Sequence, residues 1–157
     1  MKYARLTKEQ FEELHQEFIN FLATQSITGE EWKKLKAEQP EAAEQELDVF
    51  SDLIWEGVLN KVKYLEHISP SQLMLFHISD AFIELVAIKI EDTNIDITTK
   101  YGYKWLQQNI QDDRVSLYTS TKAIKEDRNK DIFALIQQGA VITKGELYTY
   151  FSDLLSE

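Results

Sequence analysis

The chain has 157 residues, with 17 Lys or Arg against 27 Asp or Glu, giving a formal net charge of −10 at pH 7. Its 43% hydrophobic and 28% charged residues, two prolines and five glycines are the composition of a folded globular protein and exclude bulk disorder. The absence of cysteine excludes disulfides, thiolate nucleophiles, zinc ribbons and iron–sulfur ligation.

Thr7 followed by Gln10 is a capping-box pattern, in which the hydroxyl accepts a first-turn amide and the Gln side chain reaches back. A helix is predicted from there to about Thr24, with Phe11, Leu14, Phe18, Phe21 and Leu22 at helical spacing. Thr28 with Glu31 repeats the signature and opens a brief helix with Trp32 and Leu35 on its apolar edge, ending before Pro40. Pro40 suits the first turn of the next helix, where its missing donor costs nothing. That helix, about Glu41 to Asn60, is the longest expected, with Leu47, Phe50, Ile54, Val58 and Leu59 as its stripe.

From Lys63 to Glu91 the period changes: YLEHIS, LMLFHIS and IELVAIKI are short, apolar and partly β-branched, and three antiparallel strands are predicted. Ser69-Pro70-Ser71-Gln72 is also a capping box with proline at the first helical position, so a helix over Leu73 to Ser79 competes with the middle strand; the strand reading is preferred. Ile95 and Ile97 are expected to add a short strand. Thr98 or Thr99 then caps a helix carrying Tyr101, Trp105, Leu106 and Ile110. Val115, Leu117 and Thr119 alternate as one more strand. Ile132, Phe133, Leu135 and Ile136 mark a helix that Gly139 can terminate, and a last helix starts at the Thr143 and Glu146 capping box.

The resulting expectation is an α+β fold: a small antiparallel sheet of about three to five strands, packed by N-terminal and C-terminal helices. No repeat or linker divides the chain, so residues 1–157 are expected to form one domain. The first 25 residues carry acids and amides throughout, unlike a signal peptide, and no apolar run is long enough to span a bilayer, so a cytoplasmic protein is expected. An acidic chain repels phosphates and anionic lipid over a Debye length, which disfavours nucleic-acid and membrane-surface partners. The acidity lies mainly in residues 1–60, which hold 6 bases and 13 acids, against 11 and 14 in residues 61–157.

The segments LDVFSDLIWEGVL from Leu47 and NKDIFALIQQGAVITKGELYTYF from Asn129 resemble a family of short bacterial proteins of no known function, over nearly the full chain. The resemblance implies a self-standing bacterial domain and carries no activity, substrate or catalytic residue.

Among chemical constellations, Glu66, His67, His77 and Asp80 form the best metal candidate, because imidazole and carboxylate together suit zinc, manganese or iron. In a simple hairpin through the SPSQ loop, however, His67 faces Met74 rather than His77, so convergence requires a shifted register or a bulge. The plainer expectation is two histidines packed in or beside a sheet. His15 flanks the stripe of the first helix and is expected to pack its ring edge there. The paired acids Glu12-Glu13, Glu30-Glu31, Glu91-Asp92 and Asp112-Asp113 point in different directions along any element and read as solvated surface.

Gly139 to Glu146 has a glycine and a lysine before a helix but lacks the glycine preceding the lysine and the hydroxyl following it that a phosphate loop requires. Lys100 to Trp105 interleaves bases with aromatics, yet Tyr101 and Trp105 form one ridge of a helix. Gly145 to Glu157 contains no base, so DNA binding through it as a recognition helix is not expected.

The functional expectation is therefore a non-catalytic protein-binding module with a protein partner and no cofactor. Its candidate anchors are Trp32, Tyr148 and Tyr150, with Trp55 more suited to the core, since Trp and Tyr supply large contact area at low entropic cost. The alternative is a metal-assisted hydrolase using His67, His77 and Asp80. A third reading is an acidic decoy whose N-terminal helices attract a basic protein. Self-association is left open.

Overall fold

The computed structural model describes residues 1–156. Among them the chain forms seven helices and one antiparallel five-stranded sheet, an α+β fold as expected. No helix among the described residues is long and apolar enough to cross a membrane. Contacts divide the chain into two compact units, Met1–Asn60 and Lys61–Glu157.

The first unit is helical: α1 (Lys8–Glu13), α2 (His15–Thr24), α3 (Gly29–Glu38) and α4 (Pro40–Asn60). The capping box at Thr7 is formed, with Thr7 accepting from the Gln10 amide at 3.2 Å and the Thr7 amide donating to the Gln10 side chain at 2.9 Å. The expected single helix after Thr7 is interrupted at Leu14, whose φ of −100° and ψ of 24° leave the helical region. No proline or glycine marks this break, so periodicity alone reads one helix. Thr28 caps α3 by accepting from the Glu31 amide at 3.2 Å.

Aromatic rings supply the centre of this unit. Phe50 of α4 is buried, and the rings of Phe11, Phe18 and Phe21 surround it at centroid distances of 6.0, 5.0 and 5.4 Å. The chain ahead of α1 is pinned along α4. The Leu6 amide donates to Ser51 Oγ at 3.0 Å, and that hydroxyl donates to the Leu47 carbonyl at 2.7 Å, so the buried serine is satisfied both ways. Nearby on the same helix, Arg5 Nε donates to Asp48 at 2.7 Å and the Tyr3 amide to Asp52 at 2.9 Å.

The second unit holds β1 (Tyr64–Ser69), β2 (Gln72–Ile78), β3 (Phe82–Ile90), α5 (Lys100–Gln108), β4 (Val115–Ala123), α6 (Arg128–Gln137), β5 (Val141–Thr143) and α7 (Glu146–Ser156). The sheet order is β4-β3-β2-β1-β5. The segment after Pro70 is strand β2, and its helical alternative is excluded. A two-residue turn pairs Ser69 with Gln72, and the turn carbonyls of Pro70 and Ser71 accept from the amides of Ile97 and Ile90 at 2.9 and 2.8 Å.

One face of the sheet carries the aliphatic core. Leu73 and Leu75 of β2 stand opposite Ile88 and Val86 of β3, and Leu106 of α5 and Phe151 of α7 close over them, all buried. On the other face, Ala134 and Leu135 of α6 share a cavity with Phe76, Ile83 and Leu85, while Arg128 donates to the carbonyls of Val62 and Ser79.

Ile95 and Ile97 are buried but form no strand, because their amides bond to Asp92 and Pro70 rather than to a ladder. Nor does a cap at Thr143 lead straight from α6 to α7. Thr143 belongs to β5, which pairs with β1 through Tyr64, and its hydroxyl accepts from the Gly145 amide at 3.2 Å. Gly139 ends α6 at φ +116°, as its permissive backbone allows. Thr99 caps α5, accepting from the Gly102 amide at 3.0 Å. Gly102 lies so close to the preceding loop that a Cβ there would stand 1.8 Å from the Asp96 carbonyl oxygen.

Candidate functional site

The strand register decides the metal reading. His67 pairs with Met74 and His77 with Tyr64, so the two histidines, on neighbouring strands, project from opposite faces of the sheet. His67 lies against Gly139, where a Cβ would sit 2.9 Å from its Nε2. His77 lies among the Tyr64 and Tyr148 rings, at 5.0 and 5.5 Å, with its Nδ1 3.6 Å from Glu84. Asp80 is exposed in the turn between β2 and β3. The expected ligands are therefore not assembled, and no group of three His, Asp or Glu placed to hold a metal occurs among the described residues.

Glu66, on the same face as His77, has its carboxyl pushed above the usual range by burial and then by the charge of Glu146. Thr143 and Lys144 line the same open cavity as these two carboxylates. The C-terminal tyrosines also separate. Tyr148 packs its ring at a tilt against Tyr64, with centroids 5.8 Å apart, and donates to Glu84 at 3.3 Å, so part of its ring is taken up by the sheet face. Tyr150 is exposed, with its ring edge-on to buried Phe151 at 4.9 Å.

Trp32 stands apart from these, on the wall of an open cavity of about 480 Å3 within the helical unit. Such a volume falls among ligand pockets of about 300–1,000 Å3. Its apolar lining is Leu6, Phe11, Phe18, Trp32 and Leu47. The Trp32 ring meets Phe18 edge-on at 5.3 Å, and Phe11 meets Phe18 the same way at 5.8 Å. These three aromatics are only half-buried, so their remaining apolar area faces the groove.

The rim is basic, contrary to the unit around it. Lys8, Glu12 and His15 recur at helical spacing on α1 and the start of α2, the Thr7 cap placing Lys8 in the first turn. Lys36, one turn beyond Trp32 on α3, sits over that ring with its Nζ 5.8 Å from the centroid. Arg5 is held at the rim by Asp48 and Glu44. Of the 6 bases in residues 1–60, three line this groove; of the 13 acids, only Glu12 does. Lys8 and Lys36 form no ion pair among the described residues. Sequence reasoning singled out Trp32 but passed over Lys8, Arg5 and Lys36. Their convergence depends on how α1, α3 and the N-terminal segment meet on α4, which no local pattern encodes.

Fold and site together define an α+β protein with an open aromatic groove on an acidic helical unit. The profile of a family described as a family of unknown function, DUF6495, matches residues 1–156, and the chain belongs to that family. No curated protein and no solved structure matches it significantly.

Proposed function

We propose that this chain is a non-catalytic, cytoplasmic protein-binding module, and that its groove receives an acidic amphipathic segment of another protein. The observation that carries this reading is the local reversal of charge: Lys8 and Lys36, without ion-pair partners among the described residues, flank a half-buried aromatic lining on a unit whose net charge is −7. Apolar anchors of an incoming helix at i, i+3, i+4 and i+7 would fill such a groove, while its carboxylates would meet the lysines. Electrostatic complementarity of this kind mainly sets specificity and association rate, so binding should weaken with salt.

The test is fluorescence anisotropy with two labelled amphipathic helical peptides that share leucine and tryptophan anchors, one with glutamates on its polar face and one with lysines. The acidic peptide should bind and the basic peptide should not. Trp32→Ala should weaken the acidic peptide about thirty-fold, the effect of losing an aromatic hot spot worth about 2 kcal/mol. Reversing the rim with Lys8→Glu and Lys36→Glu should invert the preference, with circular dichroism unchanged. Equal binding of both peptides, or preference for the basic one, would overturn the proposal; the latter would favour an acidic decoy.

A further inference from the structure

The two edges of the sheet are unlike. At one edge β5 has three residues, short enough to offer no template for pairing. At the other, β4 runs for nine residues and pairs with β3 along all of them in one unbroken register, from Phe82 opposite Ala123 to Ile90 opposite Val115. Its outer side has no strand partner among the described residues. Native proteins protect such edges with proline, bulges, inward charges or a covering element. β4 has no proline and no bulge, and every residue except Val115 and Ser120 is exposed. Its only charge is Lys122. Leu117 and Tyr118, on opposite faces, remain 42% and 59% exposed.

We propose that the outer edge of β4 pairs antiparallel with β4 of a second copy of this chain, joining two sheets into one across a two-fold axis at Thr119. The sequence of the strand is self-complementary in that register. Thr119 meets Thr119 of the second copy, Tyr118 meets Ser120, Leu117 meets Thr121, and Lys122 meets Ser116, so no like charges are opposed within the strand. Just beyond the strand ends, exposed Asp113 in the turn before β4 and exposed Lys125 of the second copy come to the same end of the paired strands, twice by symmetry. Asp112, in the same turn as Asp113, is already engaged by Arg114 through contacts of 2.9 and 3.0 Å. This pairing is independent of the groove and stands or falls without it.

A chain without cysteine makes the register directly testable. In the paired dimer, opposed residues have Cα atoms about 4.5–5.5 Å apart, within disulfide range. Thr119→Cys should therefore cross-link to a covalent dimer under mild oxidation. Ser116→Cys should not, because its two copies lie about 20 Å apart at ~3.4 Å per residue. Mixing Ser116→Cys with Lys122→Cys chains should restore the cross-link. Light scattering should give twice the chain mass for the wild type. Thr119→Lys, which opposes two ammonium groups at the axis, should give the single-chain mass with unchanged circular dichroism. A monomeric wild type at high micromolar concentration, or equal cross-linking of Thr119→Cys and Ser116→Cys, would overturn the pairing.

Discussion

The two units of this chain satisfy the same hydrophobic demand in opposite ways. In residues 61–157 the sheet face is sealed: Leu73, Leu75, Ile88, Leu106 and Phe151 are all essentially inaccessible. In residues 1–60, α1 and α3 contain no buried residue and α2 contains only Leu22. Helical stability there rests on half-buried rings around Phe50 and on threonine caps. Aliphatic residues alternating on paired strands have a face that can be closed completely, whereas short helices with aromatic edges leave apolar area uncovered. The unit that buries least leaves the apolar lining of its groove open, and local opening should be easiest there.

The largest expected effect lies in the sealed face. Leu75→Ala should cost about 2–5 kcal/mol, the range for a fully buried leucine that leaves a cavity, measured by urea unfolding. A loss under about 1 kcal/mol would mean that this face is not the sealed core described. Next in size, Thr28→Ala should cost about 1 kcal/mol through the lost cap of α3. Hydrogen exchange should localise that loss to Gly29–Glu38 and leave β2 and β3 unchanged; uniform acceleration through both units would erase the contrast between them.

The smallest effect concerns Glu66. Its carboxyl holds a proton more tightly folded than unfolded, so its ionisation opposes folding as pH rises through the carboxylate range and above it. Glu66→Gln should slightly raise the melting temperature at pH 7, and the difference should disappear once both states are protonated in acid. A stability loss at pH 7 would show that the ionised form is instead favoured in place.

Much of this architecture was legible because its signals are local. Thr7, Thr28 and the Thr98-Thr99 pair marked helix starts, and the hydroxyls of Thr7, Thr28 and Thr99 reach amides three residues on. The Ser-Pro-Ser-Gln turn foretold that His67 would face Met74, which already argued against the metal site. What escaped reading depends on distant partners. β5 is a strand only because β1 accepts it, and Ile95 and Ile97 are loop residues because Pro70 and Asp92 take their amides. The setting of Tyr148 among Tyr64, His77 and Glu84 likewise comes from residues far along the chain. Trp32 was visible as a large aromatic on a weakly apolar helix, but Lys8 and Lys36, which line the same groove, come from separate helices.

Gly102 has a meaning for divergence as well as for folding. The carbonyl of Asp96 occupies the space that any side chain at residue 102 would need. Exposed residues of the groove rim such as Lys8 and Lys36 can be exchanged one at a time without moving the backbone. Residue 102 has no such gradual route. A relative with alanine there must also have moved the loop bearing Ile95 and Ile97, so that a single letter in its sequence would report a remodelled cover over the sheet.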